Sequence, residues 1–412
     1  MSEAVIVSTA RSPIGRAFKG SLKDERPDDL ATAMVNAALA KIPGFDPGSE
    51  DGRGLDDIYL GCAEPSGEAG SNMARVVAVL AGLDTVPAVT VNRFCASSLQ
   101  TLRMAFHAIK AGEGHAFVAA GVESVSRYQN WVGAGETDTS MHNPLFQMAR
   151  ARTAARAASN TPWTDPRLGG RMPDVYIAMG QTAENVATSY GISREEQDLW
   201  AVQSQHRAEA AIASGFYARE ITPYTRKDGT VVDRDDSPRA GVTLEAVRAL
   251  EPVFRRDGTV TAGNACPLND GAAAVVVMSE LRAKDLGLEP IARIVSTAAS
   301  ALSPELMGMG PVESSRRALA LAGLTMADID LVELNEAFAI QVVASARELD
   351  IDPDKLNVHG GAIALGHPFG MTGARMTSTL LNGLRERDGT LGLATLCVGG
   401  GQGMAVVFER LS

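Results

Sequence analysis

Two of the four cysteines, one histidine and one asparagine stand where a side chain could act on a ligand. Cys95 closes the run VNRFC and is followed by small residues and then an apolar-periodic stretch, so its sulfur falls at or near a helix start. The unpaired N–H groups and dipole of a helix N-terminus favour thiolate over thiol, which predicts a lowered pKa and an activated sulfur. A structural cysteine packed in a core would read the same from this segment alone. His367 lies between glycine and proline in GGAIALGHPFG, a loop that lets backbone approach a ligand closely. A neutral imidazole is the base that a nucleophilic thiol requires. Cys397 ends an apolar run, with Gly399, Gly400 and Gly401 just beyond it. That spacing is not a dinucleotide fingerprint, and no Lys-Ser/Thr pair closes a phosphate loop. It suits a tight turn presenting N–H groups to an oxyanion, and equally an ordinary hairpin. Asn335, in ELNEAFA, falls at a strand-to-helix junction, where it either caps the helix or offers its amide to a water or substrate oxygen. Glu336 would then be a buried acid of the first turn, steadying the loop.

Such dispersed residues need a scaffold that gathers them, and alternating strand and helix signals supply one. AVIVSTA at 4–10 reads as a buried strand, a helix opens near Pro27 and runs to Lys41, and 55–63 is a strand again. Leu99, Leu102, Phe106 and Ile109 share one helical face that Gly112 ends, and HAFVAAGVES follows as a strand. The order then recurs: a helix at 311–324, a strand turning into a helix over 328–339, a long helix entered through glycines after His367, and a closing strand hairpin. LDDIYLGC and ADIDLVEL occupy corresponding places, which predicts a duplicated α/β unit. Roughly 126–250 differs. It holds Trp131, Trp163 and Trp200, arginines at 150–156, and a helix with a Ser193/Glu196 capping box, and it reads as an insertion over one half. Equivalent loop ends of the two halves would bring Cys95, His367, Cys397 and Asn335 together, where doubly wound sheets bind ligands. His107, His115 and His206 sit on or beside helices as surface or packing groups, while His142 and His359 are undecided.

Composition excludes several classes. With 412 residues, ample for two or three domains, and 45% of them apolar, the chain is not a disordered one. Lys+Arg 38 against Asp+Glu 49 gives 38 − 49 = −11 with no basic run, which argues against sequence-independent nucleic-acid binding. Four scattered cysteines, Cys62 and Cys266 completing the set, form neither a disulfide framework nor a zinc pattern. The start MSEAVIVSTARS reads as a strand and not a signal peptide, and the longest apolar stretch is far short of a bilayer span. A cytoplasmic protein with reduced thiols is expected.

The segments IVSTARSPIGRAFKGSL, NMAR (72–75), VNRFCAS, GVESVS, MGQTAENVA, TAGN with NDGAA, NEAFA, GGAIALGHPFG and CVGGGQG, in this order and over nearly the whole chain, resemble the thiolase family. The resemblance implies a duplicated, five-layered α/β/α/β/α fold with an inserted loop domain. Residues 1–125 plus 251–282 would form the N-terminal half, 126–250 the inserted domain that binds CoA and the acyl group, and 283–412 the C-terminal half. It also implies CoA-dependent cleavage of a 3-ketoacyl-CoA to acetyl-CoA and a shortened acyl-CoA through an acyl-Cys95 intermediate. By the same resemblance His367 takes the proton of that thiol. Cys397 exchanges a proton with the acetyl α-carbon or the leaving CoA thiol. Asn335 holds a water that joins His367 at the enolate oxygen, and the N–H groups of Cys95 and Gly399 form a second hole for the tetrahedral intermediate. Ala262, Cys266 and Phe338 would contact CoA, a co-substrate. No metal or redox cofactor is implied, and neither nucleic acid nor membrane is a partner. A homodimer or homotetramer is.

Two departures qualify the match. Many relatives carry a serine contacting CoA where this chain has Cys266 followed by Pro267, which keeps the backbone but not the hydroxyl. The segment 129–172 lacks the motif of short-chain biosynthetic members. That favours a degradative enzyme of the fatty-acid β-oxidation kind, with a longer or bulkier acyl group, over a biosynthetic acetoacetyl-CoA thiolase. A decarboxylating ketoacyl synthase would place a histidine or asparagine where Cys397 stands, and a non-catalytic acyl-CoA-binding relative would lack the nucleophile or base.

Overall fold

The computed structural model describes residues 2–128, 142–159 and 161–412; Trp131 and the stretch 129–141 of the segment discussed above lie outside them. The strands are β1 (Ala4–Arg11), β2 (Gly15–Arg16), β3 (Asp57–Gly61), β4 (Ala88–Val91), β5 (Ala116–Ser124), β6 (Tyr224–Thr225), β7 (Val231–Val232), β8 (Asn269–Ser279), β9 (Ala292–Ala301), β10 (Leu331–Leu334), β11 (Leu391–Val398) and β12 (Gln402–Arg410). The α-helices are α1 (Pro27–Leu39), α2 (Met73–Leu80), α3 (Ser97–Ala111), α4 (Gln147–Ser159), α5 (Met179–Tyr190), α6 (Arg194–Ala213), α7 (Leu244–Arg248), α8 (Glu280–Asp285), α9 (Gly310–Ala322), α10 (Ala339–Leu349), α11 (Ala362–Leu365) and α12 (Thr372–Glu386).

The duplication is visible in the pairing. In the N-terminal half β1 pairs antiparallel with β8, β8 antiparallel with β5, β5 parallel with β3 and β3 parallel with β4. In the C-terminal half β9–β12 and β12–β11 are antiparallel and β11–β10 parallel, in the same order. The fifth strand of this half is reduced to one parallel bridge, Val332 to Leu356. LDDIYLGC and ADIDLVEL supply β3 and β10, so the acidic turns do mark equivalent positions. The halves meet where β1 touches β9 through Val5–Arg293 and Ile6–Ala292.

Side-chain alternation builds the layers. Along β8, Val275 and Val277 enter a core with Leu99, Leu102, Phe106 and Ile109 of α3 and Met376, Leu380 and Leu384 of α12. Val276 and Met278 face the opposite way, onto Leu30 and Met34 of α1 and Val77 of α2. On β12, Val406 and Phe408 join the shared central core, while Ala405 and Val407 face Leu319 of α9 and Val342 of α10. The two halves of one continuous sheet thus enclose a helix layer and are covered outside by helices, giving five layers. A strand buried on both faces has no polar side to alternate, which is why GAAAVVVM reads as one apolar run.

The chain leaves the N-terminal sheet at the end of β5 and returns at β8, yet the intervening segment rests on the other half. Helix α6 packs on α10 and α11, and α5 packs on the 3₁₀ segment Pro304–Met309. The Ser193/Glu196 capping box forms as the sequence indicates. Below this segment Arg11, fully buried, donates to Glu220 at 2.8 Å and to Asp235 at 2.7 Å, while Thr379 of α12 donates to Glu220. Arg11→Met would strand two buried carboxylates. We expect a loss of about 3–5 kcal/mol, read as a lower urea midpoint at unchanged slope.

Candidate active site

Cys95 is placed by a strained turn. β4 ends at Val91, and Phe94–Ala96 form one 3₁₀ turn that runs into α3 at Ser97. Phe94 adopts a φ of +44°, costly for a bulky residue. It is held there because its N–H donates to Asn92 Oδ1 at 2.8 Å and its carbonyl accepts from Ser97 Oγ at 2.7 Å. Cys95 is half-buried, and the turn packs against both β11 and α12. A helix start alone would lower its pKa. Instead burial pushes the thiol up to about 12, against the backbone N–H groups of Gly399 and of Cys95 itself, and the Glu123 carboxylate adds to the rise. The partial charge of a helix end cannot offset desolvation of a thiolate, so Cys95 rests as a neutral thiol in need of a base.

His367 is held by backbone as much as by side chain. Gly366 has a φ of +113°, and a Cβ there would lie 2.5 Å from the Asn269 side chain. Asn269 Oδ1 accepts the N–H of His367 at 3.0 Å, and Glu123 accepts the N–H of Gly370 at 2.8 Å. The ring is buried, with Nδ1 at 2.6 Å from Thr372 Oγ1, whose own proton goes to the carbonyl of Pro368 at 2.8 Å. That hydroxyl can therefore only accept from the ring, which assigns the proton to Nδ1 and leaves Nε2 with its lone pair. Asn335 Nδ2 donates to Nε2 at 3.2 Å. Burial, and secondarily Arg375, pushes the imidazole down to about 3, so it is a neutral base.

Asn335 does not cap the helix. Its N–H extends the strand ladder to the carbonyl of Thr395 at 3.0 Å, and the residue preceding α10 is Phe338. The side chain is buried, and Oδ1 has no protein partner, an acceptor suited to a water or a substrate donor. Glu336 precedes the helix too. It accepts from Trp200 Nε1, Ser204 Oγ, Asn357 Nδ2 and the N–H of Ile363, tying α6 to the NEAFA and GGAIAL segments.

Cys397 is the penultimate residue of β11, fully buried, and its thiol donates to Gln341 Oε1 at 2.9 Å. Burial pushes this thiol well up, and charge on Cys95 or Cys266 would push it further, so the three sulfurs sense one another. Gly400 and Gly401, with φ of +75° and +77°, make the turn that Val398 and Gln402 close. A Cβ on Gly401 would lie 2.5 Å from the carbonyl of Leu302. The turn sets the Gly399 N–H against the Cys95 thiol.

Cys95, His367, Cys397, Asn335 and Gly399 are thus linked through shared neighbours. Of the remaining three, Cys266 lies within electrostatic reach of the Cys95 and Cys397 sulfurs. The exposed Ala262 lines a cleft with Arg16, Gln205, Ser237, Arg239 and Ile363. Cys266 is half-buried, and its N–H donates to the carbonyl of Ala337 at 3.1 Å. Phe338 is buried, bridges Ala265 through its backbone, and meets the ring of Phe254 edge-on. Sequence reasoning missed Asn269, Thr372 and Gln341 as site residues. Asn269 sits in NDGAA and Thr372 five residues past His367, whereas Gln341 carries no motif at all. Of the undecided histidines, His359 pairs with Glu386 at 2.6 Å and stacks on Phe216, and His142 stacks on Tyr176, both packing roles. Among the described residues no helix is long and apolar enough to cross a membrane.

Residues 4–281 match the thiolase N-terminal domain and residues 288–410 the thiolase C-terminal domain. The chain is 45% identical to an acetyl-CoA acetyltransferase of Escherichia coli (strain K12), covering 100% of both chains. It is 42% identical to a 3-ketoacyl-CoA thiolase of Bacillus subtilis (strain 168), over 99% of this chain and 100% of that one. The crystal structure of human mitochondrial 3-ketoacyl-CoA thiolase in complex with CoA superposes with a TM-score of 0.83 at 36% identity, over 100% of this chain and 98% of the other.

Proposed function

The chain belongs to the thiolase family, and on that premise we propose that it cleaves a 3-ketoacyl-CoA with CoA by way of a thioester on Cys95. The observation that carries the reading is a chain of contacts: the neutral His367 imidazole, Nε2 unprotonated, meets Asn335, Gln341 joins Asn335 to the Cys397 thiol, and the Cys95 thiol from the other half of the fold lies within electrostatic reach of Cys397. His367 Nε2 takes the Cys95 proton as the sulfur bonds to the ketone carbon, and the N–H groups of Cys95 and Gly399 bind the resulting oxyanion. The Cα–Cβ bond then breaks, its electron pair passing to the acetyl-CoA enolate, whose oxygen meets protonated His367 and a water on Asn335. Cys397 gives its proton to the enolate carbon and recovers one from the incoming CoA thiol. The CoA thiolate takes the acyl group from Cys95, and His367 returns the proton to that sulfur. Every proton is accounted for within these residues and CoA, so the steps call on no metal or redox cofactor.

Several features support the finer points. Arg16 and Arg239 line the cleft with Ala262, and guanidinium groups suit the phosphates of CoA. Helix α4 is anchored by Arg152 to the buried Glu305, in the segment that packs on β11, and exposes Met148 with Leu145 just before it. That apolar surface supports an acyl group longer or bulkier than acetoacetyl, in the degradative direction. β4 ends the sheet order, and beside it α2 exposes Val76, Val79 and Leu80. Open strand edges with apolar neighbours are covered in working proteins, which supports a homodimer or a dimer of dimers. Four free cysteines, two of them catalytic, suit a reducing cytoplasm.

The test is direct. Incubation with acetyl-CoA should add one acetyl group to the intact protein, and peptide mapping should place it on Cys95. An unmodified protein, or an adduct elsewhere, would overturn the mechanism. Separately, kcat/KM should be higher for longer or branched 3-ketoacyl-CoA substrates than for acetoacetyl-CoA. The reverse order would assign the enzyme to biosynthesis.

A further inference from the structure

We propose that Gln341 is a positioning residue for proton transfer at Cys397, holding the sulfur through its amide oxygen while its amide nitrogen locks the backbone of Asn335. The proposal rests on Cys397 as the proton donor to the enolate carbon. Gln341 is fully buried near the start of α10. Nε2 donates to the carbonyl of Asn335 at 3.0 Å, which fixes the orientation of the amide because two carbonyl oxygens cannot bond to each other. Oε1 is then the atom 2.9 Å from Cys397 Sγ. A carbonyl oxygen only accepts, so the thiol proton is parked on Gln341 and the sulfur lone pairs point elsewhere. Packing leaves the side chain little freedom. A Cβ at Gly308 would lie 2.7 Å from the Gln341 Cβ, and Ser345 Oγ, one turn further along α10, donates to the carbonyl of Gly308 at 3.2 Å.

This arrangement has two consequences for the reaction. Rotation about Cβ–Sγ alone carries the proton from Oε1 toward a nearby carbanion without moving the sulfur. As the S–H bond breaks, its electron pair stays on sulfur, and the new C–H bond uses the π pair of the enolate. The thiolate left behind faces the negative end of the amide dipole, which favours prompt recovery of a proton from the CoA thiol. The second consequence concerns distance. Gln341 contacts Cys397 and Asn335 together, and Asn335 contacts His367 Nε2 at 3.2 Å. One side chain therefore sets the spacing between the carbon acid–base group and the groups at the enolate oxygen.

The experiment separates carbon protonation from acyl transfer. Full-length Gln341→Met keeps the volume but loses both polar contacts; Gln341→Glu keeps an acceptor oxygen at the sulfur. Exchange of acetyl-CoA methyl protons in D2O and the extent of Cys95 acetylation are measured on each, with melting temperatures. Thiolates leave far more readily than carbanions, so acetylation depends on a well-placed acid much less than exchange does. For Gln341→Met we expect exchange and kcat to fall about 10- to 100-fold, part of the usual worth of a positioned acid or base. Cys95 acetylation should reach its normal extent, with KM little changed, and Gln341→Glu should recover part of the exchange rate. Exchange within about twofold of the parent would overturn the proposal. So would equal losses of exchange, acetylation and melting temperature in both variants, the pattern of general misfolding. Failure of the parent protein to acetylate would instead overturn the mechanism on which the proposal rests.

Discussion

Cys95→Ala should abolish 3-ketoacyl-CoA cleavage, lowering kcat by about 10⁴- to 10⁶-fold, the range seen when a catalytic nucleophile is removed, while the chain still folds. The residue occupies a short turn whose shape is fixed by its neighbours: Asn92 and Ser97 hold Phe94, and Arg93 N–H donates to Ser97 Oγ. Cys95 itself is half-buried, so an alanine there removes one sulfur and leaves those bonds intact. The chemistry has no substitute. Cys397 is fully buried with its proton held by Gln341, and burial pushes the Cys266 thiol up, so it too rests as a neutral thiol. Steady-state thiolysis and intact mass after acetyl-CoA treatment check the result together. A variant that keeps a tenth of the parent rate, or still gains an acetyl group at the site, would require a different nucleophile.

How much of this was legible in the sequence depends on what each feature needs from the rest of the chain. The duplicated sheet was legible because apolar alternation and the recurring acidic turn are local signals, and β3 and β10 fall where those turns place them. The candidate reactive residues were legible as candidates because their types are rare and small residues follow them. His367 stands between glycine and proline, Cys397 is separated by one residue from three glycines, and Cys95 is followed by Ala96, Ser97 and Ser98. Ionisation was not legible. A helix start alone predicts an acidic thiol at Cys95, but burial contributed by β11, α12 and the Gly399 turn reverses the sign. The supporting groups were hidden for a related reason. Gln341 sits on an ordinary apolar-looking helix, and its meaning comes from Cys397, 56 residues away in the chain. Asn269 is equally remote from His367, 98 residues off. The resting place of the insertion also depends on tertiary contact, since it leaves one sheet and docks on the other through Glu336 and Glu305.

His367→Ala should lower kcat/KM by about 10²- to 10⁴-fold, and the pH dependence should show why. In the parent the ring is held at about 3 by burial, below its ordinary 6.5, so the base form persists through weakly acidic solution. The acid limb of kcat/KM should therefore show no inflection near the ordinary imidazole value. In the variant nothing takes the Cys95 proton except solvent hydroxide. With that thiol at about 12, the residual rate should climb about tenfold per pH unit, without a plateau short of that value. The same shift has a stability sign. A histidine whose folded pKa is depressed binds its proton more readily in the unfolded chain, so its contribution is intact above 6.5 and is lost as pH falls from there toward 3. The parent's melting temperature should drop across that window more steeply than the variant's. These observations test one assignment from two sides, since only a buried neutral imidazole acting on a protonated thiol joins a flat acid limb in the parent to a log-linear alkaline rise in the variant. An acid limb in the parent near the ordinary imidazole value, or a pH-independent residual rate in the variant, would place the general base on another group.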